Sequence, residues 1–471
     1  MNTIWNPDLL SEPGPKYKTV MQAIRDQIAR AALLPGDKLP PVRDLAWRLG
    51  ITPGTVARAY TLLTDDGTLI AEVGRGTFVA HPDPKRPLLA DLPLEVDSAT
   101  HNAEAQTWHV NLFSPHLPSV GQAPLIRHLL GEVAKDPPSG LMHYPTRRAA
   151  RPAREAAATW LETAPLGSLD PEDVVLTNGG QNAILLILQT LLKGRRPCVL
   201  VEELSYPGFR RAAELLRAEV VPVAMDAEGI LPDAFEAAAR SHDAQVLCTQ
   251  PEVHNPTLGF TSERRRRALA DVAQRYDVHI LEDDCYRLGA ARAPSYRMIL
   301  PERSWYISSI SKSITPALRL GMAVTPPGAG ASLRRTAEYS FFGLSTPLID
   351  LAAMLLDHPQ LPQVMDAARD GIGQYVQRAV NILGGYNLTW REDVPFLWLE
   401  LPEGWRAGAF VQAAEGQGVR IRAAEEYACR DARAPHAVRF AINAGLTLET
   451  FEAGLGRLRT LLDNPPDQIG V

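Results

Sequence analysis

The stretch Ser308-Ser309-Ile310-Ser311-Lys312-Ser313-Ile314-Thr315-Pro316-Ala317-Leu318-Arg319-Leu320-Gly321 gathers side chains suited to covalent chemistry. A strand-like run, Trp305–Ser309, ends in small hydroxyl residues, then a lysine, and an arginine follows seven residues later. A lysine that forms a Schiff base needs a deprotonated amine held next to an aldehyde. Ser309, Ser311 and Arg319 are suited to holding a phosphate, through two hydroxyls and a charge-assisted guanidinium fork. A lysine after serines is common on protein surfaces, so the weight falls on whether other segments converge on the same chemistry.

Several do. Leu281-Glu282-Asp283-Asp284-Cys285-Tyr286 ends an apolar strand with acids, which burial forbids unless each has a partner. A carboxylate at Asp283 suits a pyridinium nitrogen, and Tyr286, three residues on, suits a phenolic oxygen. Thr177-Asn178-Gly179-Gly180-Gln181-Asn182 joins a strand to a helix predicted over 183–192, and the free N–H groups and dipole of that helix start suit a phosphate. Tyr206 is placed to stack on a flat ring. Asn255, in Gln250-Pro251-Glu252-Val253-His254-Asn255-Pro256-Thr257, presents an amide after another strand, and Arg439 in Val438-Arg439-Phe440 suits a carboxylate. Each has a purely structural alternative: Asp283 as a strand-end cap, Tyr206 as a core aromatic, Arg439 as a structural ion pair.

The elements that position these groups follow from length and pattern. The 471 residues correspond to about three domains, or one large and one small, at roughly 150 residues each. With 45% apolar and 22% charged residues, the composition is that of an ordinary globular protein. No apolar run approaches the roughly 18–20 residues of a membrane helix, and Met1–Trp5 lacks the basic and apolar regions of a secretory signal. Cys198, Cys248, Cys285 and Cys429 lie far apart with no CxxC pair, which fits a reducing cytoplasm and predicts no metal site. Residues 109–471 alternate strand-like and helical stretches, the pattern of a parallel sheet covered by helices. Residues 81–108, proline-bearing and without sustained period, read as a linker. Arg264–Arg267 falls on a helix predicted over 262–276 and reads as a solvated face.

The net charge is −6, yet residues 16–58 carry eight Lys/Arg against three Asp, a local excess of +5 that suits a phosphate backbone. Here apolar spacing predicts a helix over 20–33. A second follows over 44–49, a turn Gly50-Ile51-Thr52-Pro53-Gly54 leads to a third over 55–63, and Gly74-Arg75-Gly76 tips a hairpin. Helix, turn, helix and a glycine-tipped hairpin make a winged helix-turn-helix, whose second helix enters a major groove. The string GDKLPPVRDLAWRLGITPGTVARAYTLLTDDGTLIAEVGRGTFVA closely resembles the GntR-type DNA-binding domain. The resemblance implies Arg43, Thr52, Thr55, Arg58 and Arg75 as DNA contacts. Many members have an arginine where this chain has Pro53.

The large region resembles fold-type-I aminotransferases over roughly residues 109–465. That implies pyridoxal 5'-phosphate as cofactor, Lys312 as the aldimine lysine and Asp283 as pyridine-nitrogen partner. It also implies Asn255 and Tyr286 at the ring oxygen, and Tyr206 stacking. Gly180, Gln181, Ser309, Ser311 and Arg319 would hold the phosphate. Arg439 would clamp a carboxylate. Tyr144, in Met142-His143-Tyr144-Pro145, matches a tyrosine that reaches the phosphate from the other subunit, so a homodimer is implied. The family's Asn-Pro-Thr-Gly becomes Asn255-Pro256-Thr257-Leu258-Gly259 here, and Ala149 and Ala153 replace a usual glycine and leucine.

Together the halves resemble the MocR/GabR family of bacterial transcription regulators. The expectation is an α/β chain with a winged helix-turn-helix over 1–80, a linker over 81–108 and an aminotransferase-like effector and dimerisation domain over 109–471. That domain includes a small C-terminal α/β subdomain. The family reading implies a cytoplasmic, head-to-tail homodimer that binds paired operator half-sites. It senses the cofactor or a carboxylate- or sulfonate-bearing amine through an aldimine at Lys312. Some members carry an arginine two residues after the stacking tyrosine; Gly208 stands there, with Arg210 as the substitute. The alternative is a working aminotransferase that carries a DNA-binding module.

Overall fold

The computed structural model of the chain describes residues 16–30, 32–65, 68–72, 76–80, 110–135, 137, 138, 140–142, 144–429 and 432–466. Arg75 and the stretch read as a linker lie outside the described residues. The chain divides into two units, Met1–Glu95 and Val96–Val471.

The first unit contains helices α1 (Lys16–Ala29), α2 (Val42–Arg48) and α3 (Pro53–Asp65), then the hairpin β1 (Leu69–Glu72) and β2 (Gly76–Val79). Val20 and Ile24 of α1, Leu45 and Ala46 of α2, and Val56, Ala59, Tyr60 and Leu63 of α3 bury one apolar stripe each, closed by Leu69 and Val79 of the hairpin. The helix predicted over 20–33 starts and stops four residues earlier. Leu33 completes the apolar spacing because it is buried in the same core after the helix has ended. Gly50 sits at φ +61°, which lets Ile51 N–H reach back to Ala46 O (3.0 Å) and turns α2 into α3. Pro53 opens α3 with its φ already helical.

The second unit holds a seven-stranded sheet. Its strands run Val174–Thr177, Gly321–Val324, Ser304–Ser309, His279–Asp283, Val246–Thr249, Cys198–Glu202, Glu219–Val223 from one edge to the other. The central strands are buried along their whole length, as helices on both faces require. One expectation needs correcting: the sheet is mixed, because Gly321–Val324 runs antiparallel to both neighbours. The reason is chain length. Only residues 310–320 separate it from Ser304–Ser309, too few for the crossover helix of a parallel pair, so the chain folds straight back with Ser309 opposite Gly321. That return carries Lys312 and Arg319.

A four-stranded antiparallel sheet, ordered Leu388–Thr389, Phe396–Glu400, Ala437–Ala441, Arg422–Ala423, forms the smaller C-terminal layer. Its core is closed by the helices Leu361–Leu383 and Leu448–Asp463.

Candidate functional site

Three consecutive acids end the strand His279–Asp283 and its continuation, and each meets a different partner. Glu282 accepts from Tyr296 N–H (2.7 Å) and lies 3.6 Å from the Arg266 guanidinium. Asp284 accepts from Arg287 Nε and the Tyr306 hydroxyl, both at 2.5 Å. Asp283 accepts from neutral donors, the Cys285 thiol, Cys285 N–H (3.0 Å) and Gln250 Nε2 (2.9 Å). Burial raises the Asp283 carboxyl above its ordinary range, and those donors pull it part of the way back. The middle acid is therefore the one built to receive a cationic hydrogen-bond donor from elsewhere.

Lys312 rides on the return at the end of the neighbouring strand. Buried Ile310, Ile314 and Leu320 pin that loop into the core, and Ile310 N–H donates to Leu320 O (3.2 Å). This leaves Lys312 half-buried with its Nζ 5.6 Å from the Tyr286 ring centroid. Tyr286 OH in turn accepts from Arg439 Nη2 (3.3 Å), joining the two sheets. Burial pushes the Tyr286 phenol up, but Lys312, Arg439 and Arg422 outweigh it and hold the phenol below its ordinary range. Lysine is scarce here: the sequence has seven, and from residue 194 onward Lys312 stands alone.

A glycine-lined cradle lies beside the lysine loop. The helix Gly180–Leu191 starts after Gly179 at φ +81° with no side-chain cap, so its first N–H groups face outward from the helix. A Cβ on Gly179 would lie 2.7 Å from Arg319 Nη2, and one on Gly180 would lie 2.8 Å from the Cys285 sulfur. Arg319 therefore sits over the helix start. Arg319 holds φ +51°, a left-handed backbone that costs a non-glycine residue roughly 1–2 kcal/mol. Ser309 and Ser311 are buried next to this point; Ser309 shares a hydrogen bond with the Cys285 thiol, and Ser311 Oγ has no partner.

Tyr206 lies edge-on to Phe209 (5.9 Å), and burial raises its phenol. Gly208 is dictated by space, since a Cβ there would collide with the Tyr206 ring and with Gln181 Oε1. Gln181 Nε2 donates to Gly208 O (2.9 Å). Asn255 is 2% exposed with Oδ1 unpartnered, and its backbone N–H reaches Gln250 Oε1 (3.4 Å). The extra residue in Asn255-Pro256-Thr257-Leu258-Gly259 is absorbed by Leu258 at φ +59°, its N–H on His254 O (2.7 Å). Arg439 is 2% exposed, lies 4.1 Å over the Phe396 ring, and leaves Nε unpartnered.

Two expected residues stand apart from this cluster. Arg210 gives its Nη1 to Ala428 O (2.6 Å), a structural bond. Tyr144 is 79% exposed, against Phe342 at 5.8 Å, with Met142 exposed nearby in sequence.

The Arg264–Arg267 run corrects the solvated-face reading. Arg264 and Arg267 are exposed, but Arg265 is mostly buried against Asp226 and Glu228, and Arg266 is 1% exposed. Arg266 donates to Glu252 Oε2 (2.8 Å) and to the carbonyls of Thr261 (2.8 Å), Pro294 (3.0 Å) and Pro251 (3.2 Å). It thus fastens the chain on both sides of Asn255. Its counter-charges, Glu252 and Glu282, are themselves buried.

In the first unit, Arg43 and Arg58 are exposed, and the Arg58 guanidinium lies 4.4 Å over the Tyr17 ring. Thr52 and Thr55 share a hydroxyl hydrogen bond (2.9 Å), and Thr52 Oγ1 accepts weakly from Thr55 N–H (3.4 Å), which fixes the start of α3. If Arg43 meets a DNA phosphate, Arg43→Ala would weaken binding to all duplex DNA about equally and lower the salt slope by about 1. Titrations at several salt concentrations check this.

Comparison with known proteins adds to this geometry. Residues 126–458 match the family "Aminotransferase class I and II", and residues 16–79 match "Bacterial regulatory proteins, gntR family". The chain is 29% identical over 462 residues to an uncharacterized HTH-type transcriptional regulator, YdeF of Bacillus subtilis (strain 168), covering 98% of this chain and 97% of that one. It is also 29% identical over 424 residues to the vitamin B6 salvage pathway transcriptional repressor PtsJ of Salmonella typhimurium (strain LT2), covering 86% and 90%. Among solved structures, a probable N-succinyldiaminopimelate aminotransferase from Thermus thermophilus shares the fold, with TM-score 0.65 and 24% identity over 75% of this chain and 95% of that one. The chain belongs to the aminotransferase class I and II family, and with its gntR-type winged helix it has the two-part make-up of the MocR/GabR transcriptional regulators.

Proposed function

We propose that this chain is a pyridoxal 5'-phosphate-dependent, DNA-binding transcriptional regulator. It senses an amino compound bearing a carboxylate or sulfonate, or the cofactor itself, at Lys312, and alters its promoter binding in response. Residues 1–80 bind an operator with paired half-sites, 81–108 link, and 109–471 bind the effector and form a cytoplasmic, head-to-tail homodimer. The observation that carries the reading is Asp283, a buried acid met by neutral donors, on the strand beside the one that leads to half-buried Lys312, with neighbouring Cys285 against the glycine-lined helix start.

The residues present fit the cofactor. Asn255 Oδ1, Ser311 Oγ and Arg439 Nε are buried without partners, and each belongs to a side chain that the cofactor or its amine would engage. When bound, pyridoxal phosphate supplies an aldehyde that condenses with amines and a ring that withdraws electrons. Asp283 would hold a proton on the ring nitrogen, Tyr286 and Asn255 the ring oxygen, and Tyr206 the ring face. Gly180, Gln181, Ser309, Ser311 and Arg319 would hold the phosphate. Arg439 would hold the anionic end of the amine, whereas Arg210, committed to Ala428 O, would not. Exposed Tyr144, with Met142 and Phe342, supports a second copy covering this apolar surface. An effector that favours one arrangement of the large domains would shift the population of dimers whose winged helices match the operator spacing.

The test is a visible absorption spectrum of cofactor-supplied protein, titrated with a panel of amines and amino acids, alongside binding to its own promoter DNA. A band that shifts and persists with one amine, together with changed DNA affinity, supports the regulator. No band overturns the Lys312 assignment. A band that decays as keto acid appears and recovers with an acceptor makes the chain an enzyme first. Arg439→Ala is expected to weaken the amine response about 10–100-fold, from the loss of a hydrogen-bonded charge pair. An unchanged response would remove the anion clamp.

A further inference from the structure

Three neighbouring parallel strands, Cys198–Glu202, Val246–Thr249 and His279–Asp283, end side by side at this site. Gln250 is the first residue beyond the middle one and is 1% exposed. Each of its polar groups goes to a different strand end or loop. Its backbone N–H donates to Glu202 Oε1 (3.2 Å), which also accepts from the Thr249 hydroxyl (2.5 Å). Its Nε2 donates to Asp283 Oδ2 (2.9 Å), and its Oε1 accepts from Asn255 N–H (3.4 Å).

We propose that Gln250 is a positioning residue that fixes Asp283 and the Asn255 loop to one another and keeps Asp283 a hydrogen-bond acceptor. The inference deepens the site reading above and rests on it only for the cofactor's place. A carboxamide in this orientation satisfies both neighbours at any pH. Turned over, it would aim a carbonyl oxygen at a carboxylate and an NH2 group at an N–H. An ionised glutamate would bring a second negative charge to Asp283, and a leucine would leave both neighbours unmet. The titratable groups that act on Asp283 include Asp284 and Cys285 beside it, Cys248 on the adjacent strand, and the phenols of Tyr206 and Tyr286, with Lys312 beyond the latter. Among its hydrogen bonds, Gln250 supplies the only one from a side-chain amide.

Loss of this donor makes ionised Asp283 costlier in the folded protein. A buried carboxyl raised above its unfolded value favours the fold at low pH and loses that contribution as pH rises through its folded value. The experiment compares the melting temperatures of full-length, cofactor-free wild type, Gln250→Leu, Asp283→Asn and the double variant between pH 5 and 8. The gap between wild type and Gln250→Leu should widen with rising pH, and that widening should vanish when residue 283 is asparagine. Gln250→Glu gives a second reading should the leucine variant not fold. Its protonated carboxyl mimics the amide, so it should approach wild type at pH 5 and fall away by pH 8. A gap independent of pH, in both backgrounds, would reduce Gln250 to a packing residue and overturn the proposal. These proteins carry no cofactor, so the outcome is separate from the absorption test of the wild type.

Discussion

Lys312→Ala is expected to abolish covalent capture of pyridoxal phosphate and, with it, the response of DNA binding to amines. Borohydride treatment of cofactor-loaded wild type should add the cofactor's mass to the peptide containing Lys312. The same treatment of the variant should add it nowhere. The large unit makes this a clean comparison, because its other described lysines, Lys135 and Lys193, are exposed, whereas Lys312 is half-buried beside Tyr286. Ile310, Ile314 and Leu320 hold the loop from its apolar side, so the truncation should leave the fold's stability nearly intact. A loss of labelling with retained melting temperature would assign the loss to chemistry. Labelling that persists at another residue would overturn the role of Lys312.

Arg266→Met is expected to destabilise the chain by about 3–5 kcal/mol, the usual cost of breaking a buried ion pair. Glu252 would lose its closest guanidinium and three carbonyls would lose their donor. The effect should depend on pH with a defined sign. Burial raises the Glu282 carboxyl from 4.5 to about 7, and Arg266 is the cation that limits the rise. Without it the folded-state value climbs further. The contribution of a raised carboxyl is full below its unfolded value and lost as pH rises, so the deficit of Arg266→Met should be smallest near pH 5 and grow through pH 8. Urea denaturation of the cofactor-free protein at several pH values measures this. Arg264→Met, on the same helix, should change stability by no more than about 0.5 kcal/mol. Equal effects from the two would contradict the burial of Arg266.

Much of this site was legible in the sequence because its residues sit where strands end, and strand ends announce themselves. Apolar runs stopped at Asp283 and Ser309, and the helix expected over 183–192 is present, though it starts three residues earlier, at Gly180. Three features were not legible, each for a reason of distance. Arg266 looked like its neighbours because the helical period is local, whereas its partners lie 14 and 16 residues away on other elements. The antiparallel direction of Gly321–Val324 is a matter of connection length, which residue patterning along a buried strand does not encode. Gln250 carried no motif; its meaning comes from the meeting of three strand ends. In the winged helix, Leu33 extended the apparent helix because burial, not helicity, sets apolar spacing.

The hydrogen bond between Arg439 and Tyr286 is one of several ties between the two sheet layers, and under the proposed function it would give the large unit a way to gauge length. Lys312, Tyr286 and Arg319 are all fastened to the ends of strands in the seven-stranded sheet, so their mutual spacing is set by strand register. Arg439 belongs to the four-stranded sheet. A ligand gripped by its amine at one end and its anion at the other would therefore span from one sheet to the other, as between the jaws of a caliper. Adding or removing one methylene between amine and anion would change that span by about one bond length. Discrimination among amines of one charge type would then be a matter of chain length more than of affinity for either end.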